Sequence, residues 1–565
     1  MSTGKKWYQD AVVYQIYPLS FMDANNDGVG DIEGVIQKLD YIRDLGATAI
    51  WFSPLYPSPW KDYGYDVADY KAIHPAFGTM EDFDRLMAEC RKRGIRVIMD
   101  MVLNHTSDQH PWFRAALADP KSKYRDYYII RRGRKRLGKL LPPTNWTSCF
   151  TGPAWERIAG TDEFFLHLFA PEQPDLNWEN PAVRAEIADV LKFWLDKGVS
   201  GFRFDVFNLW SKVWPLRNDR HPFRVQKGSN FFVDGPRMHE FLQELNTNVL
   251  SHYDAYTVGE SYLPDPEHAH RYIHAESGEL DSIFDFAHLT SDNLLGLKFF
   301  PKPFSLRQFK RGLFDPQIRY FDTGWNTLVL ENHDNPRSVS RFGIPARYRY
   351  EAATLLAAIT FLGWGTPFIY QGEELGMTNA DFRSLDEMRD PVSHFVFDTM
   401  TKQFRMPAGI ARRFICCGAR DHARTPMQWD DAVNAGFNAG AEPWQCLNGN
   451  WREINAKRDL ASDKSVYRFY QRLLAFRREN PAALGGAVRE YHPADPRRVI
   501  YAREGEGRRF LVMANFSAHE TLCRVPDDFD PARLRVALSN GGRERVMRSM
   551  LLRPYEAVVL EERGE

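Results

Sequence analysis

Eight apolar, β-branched runs alternate with amphipathic helical stretches through most of this chain, and few architectures accept that order. The runs are "AVVYQIYP" (11–18), "ATAIWFSP" (47–54), "RVIMDMVLNH" (96–105), "GFRFDV" (201–206), "AYTVGE" (255–260), "SIFDF" (282–286), "NTLVLENHD" (326–334) and "PFIYQGEE" (367–374). Between them lie "DIEGVIQKLDYIRDLG" and "EDFDRLMAECRKRG", each ending at a Gly that suits a helix C-terminus. "PAVRAEIADVLKFWLDKG" opens on Pro, and "DGPRMHEFLQELNTNVL" follows the fourth run. Continuous apolar strands separated by helices imply a parallel sheet covered on its faces. Eight such units close into a barrel more naturally than they form an open sheet.

The expected class is therefore α/β, a (β/α)8 TIM barrel carrying two additions. Residues 106–174, with the basic "RRGRKRLGK" (131–139) read as a solvated loop, are too long for a βα connection and are expected to form a domain inserted after strand three. Short strands divided by turns in 481–565 predict a C-terminal antiparallel β-sandwich. The barrel is then 1–105 plus 175–480, with an irregular excursion at 375–455 and a helical stretch around "RSLDEMRDPVSHFVFDTMTKQF".

Charge excludes several classes of partner. Lys plus Arg number 73 and Asp plus Glu 74, a formal net charge of −1 in 565 residues, so no global field draws the protein to nucleic acid or an anionic membrane. No apolar run is long enough to span a bilayer, and the N-terminal "MSTGKKWYQDAVVYQIYP" lacks a secretory h-region. Six sparse cysteines without CxxC spacing suit a reducing compartment, hence a cytoplasmic location. The chain is expected to act as a monomer or weak homo-oligomer.

The polar residues at the C-terminal strand ends carry the chemistry. Strand three delivers Asn104 and His105, strand four Arg203 and Asp205, strand five Glu260, and strand seven Asn332, His333 and Asp334. Carboxylates on neighbouring strands suit glycosidic bond cleavage, one attacking the anomeric carbon while a protonated partner donates to the leaving oxygen. Arg203 keeps Asp205 ionised and oriented. Glu260 needs a raised pKa to act as the acid.

"DMVLNH", "GFRFDVFN", "TVGE" and "ENHD", with "QPDLNW" (173–178), resemble the α-amylase family of retaining glycoside hydrolases over nearly the whole chain. "YGYDVADY", "YQGEELGMTN", "RDHARTPMQW" and "NAGF" are similar to its exo-acting members: oligo-1,6-glucosidases, α-glucosidases and trehalose-6-phosphate hydrolases. The resemblance implies Asp205 as nucleophile, Glu260 as acid/base and Asp334 as the carboxylate that grips the sugar. It places Asp62, Tyr65, His105, Arg203, His333 and Arg420 around a terminal glucose, with Phe150, Phe169 and Gln173 added to the binding set. Asp62 would block the far end of the pocket, so single glucose units would leave short oligosaccharides. Val206 after the nucleophile is typical of the α-1,6-preferring group.

"DANNDGVGD" (23–31) offers oxygens from Asp23, Asn25, Asp27 and Asp31, a spacing that suits Ca²⁺ or Mg²⁺. Gly34 stands where an EF-hand needs its bidentate Glu, which excludes a sensor; relatives add the Val29 carbonyl. Two rival substrates keep the fold. A phosphorylated disaccharide would need Lys298, Lys302, Arg307, Lys310 and Arg311, otherwise a solvated helix face. A sucrose isomerase or transglucosylase would use "FDPQIRYFDTGWN" (314–326) as acceptor wall. "SYLPDPEH" after Glu260 and "CFTGPAW" (149–155) depart from the oligo-1,6 pattern on the aglycone side.

Overall fold

The computed structural model describes residues 5–562 except 222, 223, 225, 264, 295 and 296. The eight expected runs each supply a strand: β1 (Val13–Ile16), β2 (Ala49–Phe52), β3 (Arg96–Met101), β4 (Gly201–Phe204), β5 (Tyr256–Glu260), β6 (Ser282–Phe284), β7 (Thr327–Val329) and β8 (Thr366–Tyr370). They pair in parallel in the order β6-β5-β4-β3-β2-β1-β8-β7. The Thr327 hydroxyl donates to the Ile283 carbonyl at 3.0 Å, bridging the two ends of that order and drawing the sheet into a barrel. The strands are buried on both faces, which is why they read as continuous apolar runs rather than as alternation.

Local chemistry explains the helices. Asp31 caps Ile32–Leu45 by accepting from the Gly34 amide, and Gly46 closes it at φ 107°, where a Cβ would be strained. Thr79 and Asp82 form a reciprocal capping box on Met80–Lys92.

Residues 106–174 carry a three-stranded antiparallel sheet, Ile130–Arg132, Glu163–Leu166 and Trp155–Arg157. The basic segment is an exposed hairpin, Arg134–Arg136 against Lys139–Leu141, rather than the expected loop. Leu137 and Gly138 both take positive φ, 50° and 75°, the two-residue turn that suits antiparallel strands. The segment is tied down where it rejoins the barrel: the Lys212 ammonium meets Asp175 at 2.8 Å and Asn104 at 3.1 Å, all three buried.

The excursion after β8 contains the expected helix, Pro391–Asp398, and a second one, Ala408–Gly418, that the pattern did not announce. The C-terminal unit is a five-stranded antiparallel sheet ordered 487–491, 498–505, 508–515, 557–562, 534–539. Across a core of Ile500, Leu511, Met513 and Met550 stands the pair Thr521–Arg524 and Ser549–Leu552. Ala487–Tyr491 was not legible because its residues are all half-buried or exposed, with no alternation to read. Lys310 joins this unit to the barrel. Its buried ammonium faces Glu490 at 3.4 Å and the His492 and Arg498 carbonyls, so it is not part of a solvated face.

Candidate active site

β4 and β5 run in register, with Arg203 beside Val258 and Gly259 beside Phe204. A Cβ on Gly259 would lie 2.5 Å from the Phe207 ring, so only glycine lets the turn after β4 press this closely on β5. Phe202 and Phe204 are fully buried in the main hydrophobic core, on the side opposite Arg203. Val206 does not share their face as strict alternation requires. It sits at φ 36°, a left-handed conformation costly for a β-branched residue, and turns the chain into Phe207–Leu209. Its side chain packs with Phe150, Phe169 and Leu209 above the barrel.

That turn leaves Asp205 on Arg203. The guanidinium, 1% exposed, donates from Nη1 to Asp205 at 2.7 Å and to Asp100 at 2.8 Å. Its Nη2 donates to Glu260. Burial pushes the Asp205 carboxyl up; Arg203 opposes this, and Glu260 and Asp100 add to it. Burial likewise pushes Asp100 up to about 6 against Arg203. Three carboxylates on one cation carry an excess of negative charge that a proton relieves.

A second cluster is linked to the first through the Tyr65 hydroxyl, 3.1 Å from Asp100 and 2.7 Å from His333. Asp334 accepts from Arg424 at 2.8 Å and Arg420 at 3.2 Å, while the Lys298 ammonium donates to its backbone carbonyl. Burial works against ionisation there, but the guanidinium groups of Arg420 and Arg424 hold the carboxyl well below its usual range. Burial also keeps the neighbouring His333 ring well below its ordinary value, against the pull of Asp334. The fixed arginines settle the contest: Asp334 is ionised and His333 neutral. Gln15 lies 2.8 Å from His333 Nδ1 and the Tyr65 hydroxyl 2.7 Å from Nε2, which fixes the ring.

Arg420 also grips Asp62 at 3.1 Å and Asp390 at 2.6 Å and 2.7 Å. Gln173 donates to Asp62 at 3.2 Å and lies 3.1 Å from His105. Burial brings the His105 imidazole down to about 4, so it stays neutral. The Phe169 ring centroid is 5.1 Å from His105, and Phe150 packs edge-on against Phe169. All twelve sequence-derived catalytic and binding residues thus fall into one connected group, from Asp62 and Gln173 at one end to Glu260 at the other. The Tyr65 and His333 rings lie parallel and displaced, planes 3° and centroids 5.3 Å apart.

Four members of that group escaped the sequence reading. Asp100 and Arg424 lie within quoted motifs, but their partners, Arg203 and Asp334, are 103 and 90 residues away; alternation along β3 singles out Asp100. Asp390 gave no such signal: it caps a helix in an irregular stretch, 30 residues before Arg420. Lys298 reads in the sequence as a phosphate-holding base or part of a solvated helix face, yet its amine donates to the Asp334 backbone carbonyl.

In the loop 23–31, Asp23 accepts the amides of Asn26, Asp27 and Gly28 and the side chain of Asn438. Asp31 accepts the amides of Ala24 and Asn25 besides capping its helix. Asn25 and Asp27 hydrogen-bond each other, and Val29 donates its amide to Asp27. The donors are hard oxygens throughout, the chemistry that Ca²⁺ or Mg²⁺ requires. Among the described residues no three His, Cys, Asp or Glu side chains converge closely enough to hold a metal alone, so Asn25 and the Val29 carbonyl would be needed to complete a shell.

Comparison with known proteins agrees with this geometry. The family model of the alpha amylase catalytic domain matches residues 15–486. An oligo-1,6-glucosidase of Parageobacillus thermoglucosidasius is 44% identical over 558 residues, 98% of each chain. The crystal structure of the trehalose-6-phosphate hydrolase of Bacillus licheniformis matches with a TM-score of 0.92 at 41% identity, covering 99% of this chain and 100% of that one. That of a trehalulose synthase of Pseudomonas mesoacidophila matches with 0.93 at 39% identity and the same coverage.

Proposed function

The chain belongs to the α-amylase family of glycoside hydrolases, and on that premise we propose that it is a retaining, exo-acting α-glucosidase that releases glucose from short α-1,6-linked oligosaccharides. The observation that carries the reading is the pair Asp205 and Glu260 on the two terminal nitrogens of one buried guanidinium. Such a pair stands close enough to act on one anomeric centre, as retention requires. Asp205 attacks the anomeric carbon, the glycosidic C–O bond breaks, and the leaving oxygen takes the proton of Glu260. Glu260 then accepts a proton from water as that water attacks the glucosyl ester, and the Asp205 carboxylate is released. Asp334, kept ionised by Arg420 and Arg424, binds ring hydroxyls. Asp62, locked by Arg420 and Gln173, closes the far end and supports exo action.

Val206 beside the nucleophile and the oligo-1,6-glucosidase relatives favour the α-1,6 linkage. A trehalose-6-phosphate substrate is the second reading, favoured by relatives of that name; an isomerase or transglucosylase is the third. Isomaltose, maltose, sucrose and trehalose-6-phosphate assayed side by side decide among them. Glucose release is expected to be fastest from isomaltose, and a small fraction of the rate seen with another substrate would overturn the preference. No described helix is long and apolar enough to cross a membrane. We place the enzyme in the cytoplasm, where its six free cysteines would stay reduced.

We also propose one structural divalent cation at Asp23, Asn25, Asp27, Asp31 and the Val29 carbonyl, where it would pin the start of the first barrel helix. Saturated at 100 times its Kd, such an ion contributes about 2.7 kcal/mol. Chelation is expected to lower Tm by roughly 3 °C, and Asp23→Asn to abolish the response. An unchanged Tm after chelation removes the cation from this account.

A further inference from the structure

Two segments distant in sequence meet above the site. The helix Pro391–Asp398 presents Val392 and Phe395, with Thr399 just past its end, along one face at spacings of three and four. That face lies on the loop 149–152 of the inserted segment. Phe395 stacks on Phe150 with ring centroids 6.2 Å apart and planes 24° from parallel. The Thr399 hydroxyl donates to the Thr151 hydroxyl at 2.9 Å. Val392 packs into the apolar cluster that holds Phe150, Phe169 and Val206. The loop bends sharply to make this contact, with Thr151 at φ 84° and Gly152 at φ 79°. Thr151 is strained there, so the contact must hold the bend in place.

The same helix also reaches the sugar clamp. Its N-cap, Asp390, grips Arg420, and the Phe150 ring stands 5.8 Å from that guanidinium. One short element therefore begins on the arginine that holds Asp62 and Asp334 and carries Phe395 across the loop 149–152. Phe150 is buried, whereas Phe395 is 37% exposed, an aromatic surface left open beside a closed one. Sugar rings carry apolar C–H faces that pack on such surfaces.

We propose that Phe395, braced on Phe150, is the platform for the second sugar ring and so a specificity-determining residue; this rests on the α-glucosidase reading above. The donor glucose fills the buried group, and the next ring must lie at the rim. Held there, an acceptor sugar competes with water for the glucosyl–Asp205 ester. Its hydroxyl forms the new C–O bond, its proton passes to Glu260, and the Asp205 carboxylate is released. The rim thus governs aglycone preference and the share of transfer over hydrolysis.

The test compares isomaltose, which has a second ring, with α-glucosyl fluoride, which has none. In Phe395→Ala the ratio of kcat/KM for isomaltose to that for α-glucosyl fluoride is expected to fall about three- to tenfold, the range of one aromatic contact, mostly through KM. Transfer products at high isomaltose should fall with it, and Phe395→Trp should retain both. Thr399→Val, which removes only the rim hydrogen bond, should shift the ratio less and in the same direction. An unchanged ratio in Phe395→Ala overturns the proposal. So does an equal loss on both substrates, which would mean that Phe395 acts only through Asp390 and Arg420. A wild-type enzyme inactive on both substrates would instead overturn the glucosidase reading itself.

Discussion

Asp205→Asn is expected to lose about five orders of magnitude in kcat on every α-glucoside, the scale seen when a covalent nucleophile is removed. Asparagine preserves the shape and can still meet Arg203, so the fold should survive and the loss should report chemistry alone. Glu260→Gln is expected to fail differently. Its amide cannot protonate a sugar leaving group, but a fluoride leaving group needs little such help. α-Glucosyl fluoride should therefore still form the glucosyl–Asp205 ester, which then waits because no base activates water. Azide needs no base and should attack that ester, giving α-glucosyl azide with the starting configuration. Asp205→Asn should show no azide product of that configuration. If Asp205→Asn gave the azide of retained configuration and Glu260→Gln gave none, the two assignments would have to be exchanged.

Arg203→Ala should have the second largest effect. It strips the cation from Asp100, Asp205 and Glu260 at once. Removing one partner of a buried ion pair costs about 3–5 kcal/mol, because the remaining charge stays buried and uncompensated. The loss should depend on pH, and its sign follows from the direction of the shifts. Asp205 and Asp100 already bind protons more tightly in the folded chain than an unfolded carboxyl does, through burial that Arg203 only partly offsets. Without Arg203 they bind them more tightly still. Raised carboxyls cost nothing below the unfolded carboxylate range, near pH 4, and their full penalty above the folded value. The stability deficit of Arg203→Ala should therefore grow from pH 5 to pH 8. Urea unfolding at both values measures it, and a deficit as large at pH 5 as at pH 8 would contradict a charge origin. Activity should fall by at least about two orders of magnitude as Asp205 becomes harder to ionise.

The acid pair was legible because strand geometry forces it. Alternation places Arg203 and Asp205 on the side opposite Phe202 and Phe204, and the barrel order makes β5 the neighbour of β4. The Glu260 position followed from that order. The same rule fails at Val206, since it assumes an extended backbone and the chain turns left-handed there. Asp390 and Phe395 lay beyond any local pattern, their partners being Arg420 and, far upstream, Phe150.

What the sequence determined by itself was the barrel, its catalytic rim and the residue types on that rim, because period and strand order are properties of neighbours along the chain. What tertiary structure alone decided was which charges meet: Arg203 divided among three carboxylates, Arg420 among Asp62, Asp334 and Asp390, and Lys310 drawn from an apparent surface into a domain joint. Those meetings join strands, loops and a domain joint that lie far apart along the chain. Electrostatic energy there is set by distance through space and by burial, neither of which a linear spacing encodes.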